Sequence, residues 1–124
     1  MPEIRILIVE DDPFIAMDIE AAVAEQFGHA AELIVVDSVT QAQRLAAAEL
    51  SCALLDIDVV GGKTFAVAER LLQKGTPFAF VSGSAPHDVP EMLRKVRFLR
   101  KPFLTSEIAS FVSSAVAAAV PGEA

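Results

Sequence analysis

Four places in the sequence carry residues whose types suit joint chemistry, and each follows an apolar run. "IRILIV" is followed by Glu10-Asp11-Asp12 and "CALL" by Asp56, with Asp58 two residues on. "PFAFV" is followed by Ser82-Gly83 and "RFLR" by Lys101-Pro102. Carboxylates gathered at one point repel each other, and without a cation one is pushed toward protonation. A hard divalent ion with oxygen ligands removes that conflict, and Mg²⁺ characteristically takes a few carboxylates plus waters. A carboxylate facing Mg²⁺ can attack a phosphoryl group to give an aspartyl phosphate. Phosphoryl transfer is mainly positioning and charge neutralisation, work suited to a metal, a Lys ammonium and a Ser hydroxyl. Each residue alone has a plainer reading; Asp56 by itself could cap the next helix.

The chemistry needs these residues in one place, so the elements that carry them matter. Five short runs read as buried strands: residues 4–9, 31–36, 52–55, 77–81 and 97–100. They are rich in Ile, Val, Leu and Phe, as parallel strands covered on both faces are. Between them lie helical patterns. "PFIAMDIEAAVAEQF" has Phe14, Met17, Ala21 and Ala24 at helical spacing, Asp12 and Pro13 suited to its start and Gly28 to its end. "VTQAQRLAAAEL", "KTFAVAERLLQK" and "LTSEIASFVSSAVAAAV" read the same way, while Pro86 and Pro90 leave "APHDVPEMLRKV" only a short helix. Strand and helix repeated five times imply a parallel sheet with helices on both faces. In the order 2-1-3-4-5, strands one and three are neighbours at the switch point. Glu10, Asp11 and Asp56 then share one pocket, with Ser82 and Lys101 on its other wall.

An acidic cluster after strand one, Asp after strand three, Ser after strand four and Lys-Pro after strand five resemble the receiver domain of two-component response regulators. "ILIVEDDP" and "FLRKPF" are the most specific pieces, and the likeness spans nearly the whole chain. It implies a flavodoxin-like (CheY-like) α/β fold with five strands and five helices. It implies that Asp56 is the phosphoacceptor and that Glu10, Asp11 and Asp56 hold Mg²⁺ with the main-chain carbonyl of Asp58, Asp11 ahead of Glu10 as direct ligand. Ser82 is to bind the phosphoryl group and Lys101 to pair with the acids and then with phosphoryl oxygens. Phe98 matches the switch aromatic, and Lys101-Pro102 is typically a cis bond.

The sequence also departs from that family. Val60 stands where many receivers have Pro, followed by Gly61-Gly62, which loosen the loop's path. Ser82 replaces the common Thr, and Phe98 the common Tyr. "PFAFVSGS" partly resembles a subgroup of single-domain receivers with Phe-Ala-Thr-Gly here. Asp58 and Ser84 occupy family positions flanking the path of the hydrolytic water, with no sign of effect decided.

Plainer roles fit other residues. Asp12 reads as a helix cap rather than a ligand, Asp37 as a cap for the helix at Ser38, Cys52 as inert core and His29 as a surface turn. His87 has no support as donor or ligand. Arg94, Lys95, Arg97 and Arg100 read equally as a solvated face or a partner surface. The last helix is mostly core packing through Ile108, Phe111, Val112, Ala115 and Val116.

Bulk properties agree with this picture. The 124 residues are 53% hydrophobic and 22% charged, which suits one folded domain. Net charge −7 disfavours direct nucleic-acid binding. One Cys forbids an intrachain disulfide. No run suits a membrane span or secretory leader, so a cytoplasmic location is expected. The expectation is therefore a phosphorylation-dependent switch, an acceptor rather than a turnover enzyme, spanning 1–124 without an output domain. Its partners are a sensor histidine kinase or histidine phosphotransfer protein and a downstream protein. It is expected as a monomer or a weak homodimer through the fourth helix, fifth strand and fifth helix. Alternatives are a receiver that docks without phosphorylation, or a receiver fragment of a longer transcriptional regulator. A flavodoxin-type binder wants a hydroxyl- and glycine-rich phosphate loop where this chain has "EDDPF". A hydrolase needs a substrate cap.

Overall fold

The computed structural model describes residues 4–119. They form a parallel sheet of β1 (Ile4–Val9), β2 (Ala31–Val36), β3 (Cys52–Leu55), β4 (Phe78–Ser82) and β5 (Arg97–Arg100). The strand order is β2-β1-β3-β4-β5, as expected, with every neighbouring pair parallel. The helices are α1 (Pro13–Phe27), α2 (Val39–Ala46), α3 (Phe65–Lys74) and α4 (Thr105–Ala119).

Alternation along the strands splits one apolar run between two cores. Ile6, Ile8, Cys52, Leu54, Ala79, Val81 and Leu99 pack with α1 and α4. Leu7, Val9, Ala53, Leu55, Phe78 and Phe80 pack with α2 and α3. Cys52 lies in the first core, and burial pushes its thiol up to about 12, so it stays protonated and inert.

Three helical expectations change. In α1 the sheet-facing residues are Ala16, Ile19, Ala22 and Val23, whereas Phe14 is 77% and Met17 62% exposed. The helix carries two apolar stripes, and the one holding β-branched Ile19 and Val23 meets the sheet. α2 ends at Ala46, before the Ala-Ala-Glu-Leu that extends its pattern. Lys74 donates there to the carbonyls of Ala46 (2.9 Å) and Ala48, a cation placed at a helix C-terminus.

The third change is the helix count, four among the described residues instead of five. The crossover between β4 and β5 holds only two short 3₁₀ turns, Pro86–Asp88 and Glu91–Leu93. Pro86 and Pro90 remove two backbone donors, and Pro90 disfavours helical geometry at Val89. Val89 is buried and extended. Carbonyls that a helix would have paired are met by Arg94, which donates to Val89 (2.9 Å) and His87 (3.3 Å). Arg94 is thus part of the fold, while Lys95, Arg97 and Arg100 remain exposed.

Candidate functional site

Register decides which side chains meet. β1 pairs with β3 up to Val9 opposite Leu55, so the next residues are Glu10 and Asp56. The Asp56 amide donates to the Val9 carbonyl at 2.8 Å and the Glu10 amide to the Val36 carbonyl at 3.0 Å. β4 pairs with β5 up to Ser82 opposite Arg100, and the Lys101 amide donates to the Ser82 carbonyl at 3.0 Å. Glu10, Asp56 and Lys101, each just past its strand, and Ser82, the last residue of β4, therefore gather at the carboxyl edge of the sheet, where the strand order reverses.

Lys101 Nζ ties the pocket together. It lies 2.7 Å from Glu10 Oε1 and 3.0 Å from Asp56 Oδ2. Asp56 Oδ1 accepts from the Ile57 amide at 2.7 Å, and Glu10 Oε2 from the Asp12 amide at 3.1 Å. Glu10, Asp56 and Ser82 are only 3%, 8% and 2% exposed, while Asp11 is exposed at the mouth. Burial raises the Glu10 carboxyl above its usual range; Lys101 and the Asp12 amide oppose this, and the Asp56 charge adds to it. Burial alone would lower Lys101, but its contacts with Glu10 and Asp56 outweigh that and raise it.

The donor set fits a hard divalent cation. One carboxylate oxygen each from Glu10, Asp11 and Asp56 lie within 4.8 Å of one another. Glu10 Oε1 is buried and, although close to Lys101, has no aligned hydrogen bond. Oxygen-only ligands with three carboxylates suit Mg²⁺ better than softer metals.

Asp12 caps α1, its Oδ1 accepting from the amides of Phe14 (2.9 Å) and Ile15 (3.3 Å). Asp37 does not cap α2. Ser38 does, accepting from the Gln41 amide at 3.2 Å, because its side chain sits at the N-cap position itself. His29 is an exposed turn residue, and His87 is exposed. The Lys101-Pro102 bond is cis. Phe98 is half-buried against Phe80, with ring centroids 6.2 Å apart.

The loop after β3 takes a defined path. Asp58 pairs with Lys63 and Val59 with Gly62 in a two-residue antiparallel ladder, with Gly61 and Gly62 at φ 96° and 126°. Its tip docks on the β2–α2 connection: the Val60 amide donates to the Asp37 carbonyl (3.1 Å) and the Val39 amide to the Val60 carbonyl (2.9 Å). A proline at position 60 has no amide hydrogen for the first of these bonds, which accounts physically for Val60 here.

Sequence reasoning missed Thr64. It reads as an ordinary start to α3, but it makes no cap bond. Its buried Oγ1 donates to the Asp56 carbonyl at 2.6 Å, and its amide to the Ile57 carbonyl at 2.9 Å. Thr64→Val keeps the shape and deletes the hydroxyl. Urea unfolding is expected to show a loss of about 1–3 kcal/mol, as for a buried acceptor left unpaired. A loss below the error of the measurement would mean that Thr64 does not hold the Asp56 backbone.

No protein-family model matches the sequence. A response regulator receiver protein from Anaeromyxobacter sp. strain Fw109-5 is 34% identical over 106 residues, 84% of this chain. The chain spans 42% of that relative's length. The solution structure of SdrG from Sphingomonas melonis Fr1 is 31% identical, with TM-score 0.74, over 94% of this chain and 98% of that one. The fold is also that of a response regulator receiver protein from Sinorhizobium medicae, TM-score 0.77 at 20% identity, over 94% of this chain and 97% of that one.

Proposed function

The chain belongs to the receiver domains of response regulators in two-component signalling, and on that premise we propose that it is a switch thrown by phosphorylation of Asp56. The observation that carries the proposal is Lys101 Nζ held in contact with both Glu10 and the buried Asp56. Such an ammonium is positioned to neutralise phosphoryl oxygens once they arrive. Glu10, Asp11, Asp56 and the main-chain carbonyl of Asp58 would hold Mg²⁺. That ion, when bound, supplies charge neutralisation and orientation for the transferring group.

Asp56 attacks as a nucleophile from a carboxylate fixed by the Ile57 amide. Ser82, buried on the adjoining strand end, has the hydroxyl that would follow the new charge inward. Phe98 packs against Phe80 and is only half-buried, so it has room to repack when Ser82 moves. This is a local charge biasing a bistable element. The donor in this reading is a histidine kinase or phosphotransfer protein, met at the mouth by exposed Met17, which lines one cleft with Glu10 and Asp11. A downstream protein would read the face around β5, where Lys95, Arg97 and Arg100 are exposed. The setting is cytoplasmic; among the described residues no helix is long and apolar enough to cross a membrane.

The test is intact mass after incubation with acetyl phosphate, with Mg²⁺ and with EDTA. The expected result is one added phosphoryl group with Mg²⁺ and none with EDTA. A chain that gains nothing from acetyl phosphate or from a donor kinase would instead work by docking alone.

A further inference from the structure

The peptide unit between Asp56 and Ile57 is held at both of its polar ends. Its carbonyl, that of Asp56, accepts from Thr64 Oγ1 at 2.6 Å. Its N–H, that of Ile57, donates to Asp56 Oδ1 at 2.7 Å. The Thr64 hydroxyl and the Asp56 carboxylate are thus joined through one peptide plane, and such a plane turns as a rigid whole. A rotation that takes the carbonyl off Thr64 also takes the N–H off the carboxylate. Linked hydrogen bonds of this kind strengthen one another in a low-dielectric interior, and Thr64 is fully buried.

The surroundings leave this plane as the point where sheet gives way to loop. Before it, the Asp56 amide is fixed to the Val9 carbonyl at 2.8 Å. After it, the Thr64 amide donates to the Ile57 carbonyl at 2.9 Å, so one residue grips two successive carbonyls. A Thr that only opened α3 would accept from the helix's first amides. Thr64 makes no such bond, and its hydroxyl serves the backbone of Asp56 instead.

We infer that Thr64 is a positioning residue for the phosphoryl acceptor: through the Asp56–Ile57 peptide its hydroxyl aims the Ile57 N–H at Oδ1 and so fixes the plane of the carboxylate, with Oδ2 toward Lys101. The inference rests on Asp56 being the acceptor. In that step a carboxylate oxygen of Asp56 bonds to phosphorus while the bond from phosphorus to the donor breaks. With acetyl phosphate, acetate leaves with the electron pair. A carboxylate free to turn lines up with phosphorus less often, which slows the step without altering the nucleophile.

The test follows labelling by saturating acetyl phosphate and Mg²⁺ through intact mass over time. Thr64→Val is expected to label about ten- to a hundredfold more slowly, the scale of misplacing a reacting group. Thr64→Ser recovers most of the natural rate. Val112→Ala, which removes buried methyl groups from the other core, keeps the natural rate. In proton–nitrogen spectra taken without any donor, the Ile57 amide proton of Thr64→Val shifts upfield and exchanges faster, while Thr64→Ser keeps it in place. Should Thr64→Val not fold, Thr64→Cys replaces it, its thiol being a weak donor, and labels between the Ser variant and that slow rate. Labelling of Thr64→Val or Thr64→Cys at the natural rate overturns the inference and leaves the acceptor reading standing. So does a Thr64→Ser chain as slow as either. Equal slowing in Val112→Ala overturns it as well, because lost stability would then be the cause. Failure of the natural chain to label overturns the acceptor reading, and the inference with it.

Discussion

Asp56→Asn keeps its unmodified mass after incubation with acetyl phosphate and Mg²⁺, under conditions in which the natural chain gains one phosphoryl group. The amide lacks the anionic oxygen that would attack phosphorus. Other acids near the mouth are poor substitutes, for reasons visible in their contacts. Asp12 is engaged with two amides at the start of α1. Asp58 is paired with Lys63. Asp11 is exposed, and Lys101 pairs only with Glu10 and Asp56 among the described residues. The variant folds, because Asn can still accept from the Ile57 amide through its side-chain oxygen and Lys101 keeps Glu10. Circular dichroism on the same sample separates loss of the acceptor from loss of the fold. An equal mass gain in Asp56→Asn would move the acceptor to another carboxylate and sink the assignment.

Much of the site was legible because each of its residues punctuates a strand. Runs such as "ILIV" and "CALL" are apolar on both faces, so their ends are sharp and the next residue must leave the sheet. Parallel order then carries Glu10, Asp56, Ser82 and Lys101 to one edge without knowledge of any side-chain contact. The same argument has no purchase on Thr64, Lys63 or Val60. Their partners, the Asp56 carbonyl, Asp58 and the Asp37 carbonyl, are reached through the particular fold of one loop. Only the double glycine marked this loop as permissive, and it left the path open.

The helices were less legible for a different reason. α1 has apolar residues on more than one stripe, so periodicity establishes a helix without choosing its buried face. Phe14 and Met17 are the larger side chains, yet Ile19 and Val23 face the sheet. The crossover before β5 shows the opposite case. Val89 and Leu93 are buried at helical spacing, but two prolines turn their segment into 3₁₀ turns. Burial period survived there while backbone geometry did not, since prolines act on the main chain and burial on side chains.

Phe80→Ala is expected to lower stability by about 3–5 kcal/mol, the usual cost of removing a buried Phe. Phe80 is fully buried at the middle of an aromatic cluster. It meets Phe65 edge-on at 6.2 Å and Phe78 edge-on at 5.8 Å, and lies tilted against Phe98 at 6.2 Å. Each such pair adds roughly 0.5–1.5 kcal/mol beyond the area buried. Domains of this size hold about 5–15 kcal/mol in all, so the loss is a large share of the total. Phe98→Ala is the comparison. It removes the same atoms from a half-buried position and should cost distinctly less in the same urea titration. The pair of variants also probes the switch. Phe80 stands two residues before Ser82 and touches Phe98 on the neighbouring strand. A cavity at position 80 would leave Phe98 without the surface it packs against, so phosphorylation of a folded Phe80→Ala chain would no longer fix its position. Equal losses for the two variants would show that the aromatic cluster is not centred on Phe80, and the route from Ser82 to Phe98 would have to be sought outside it.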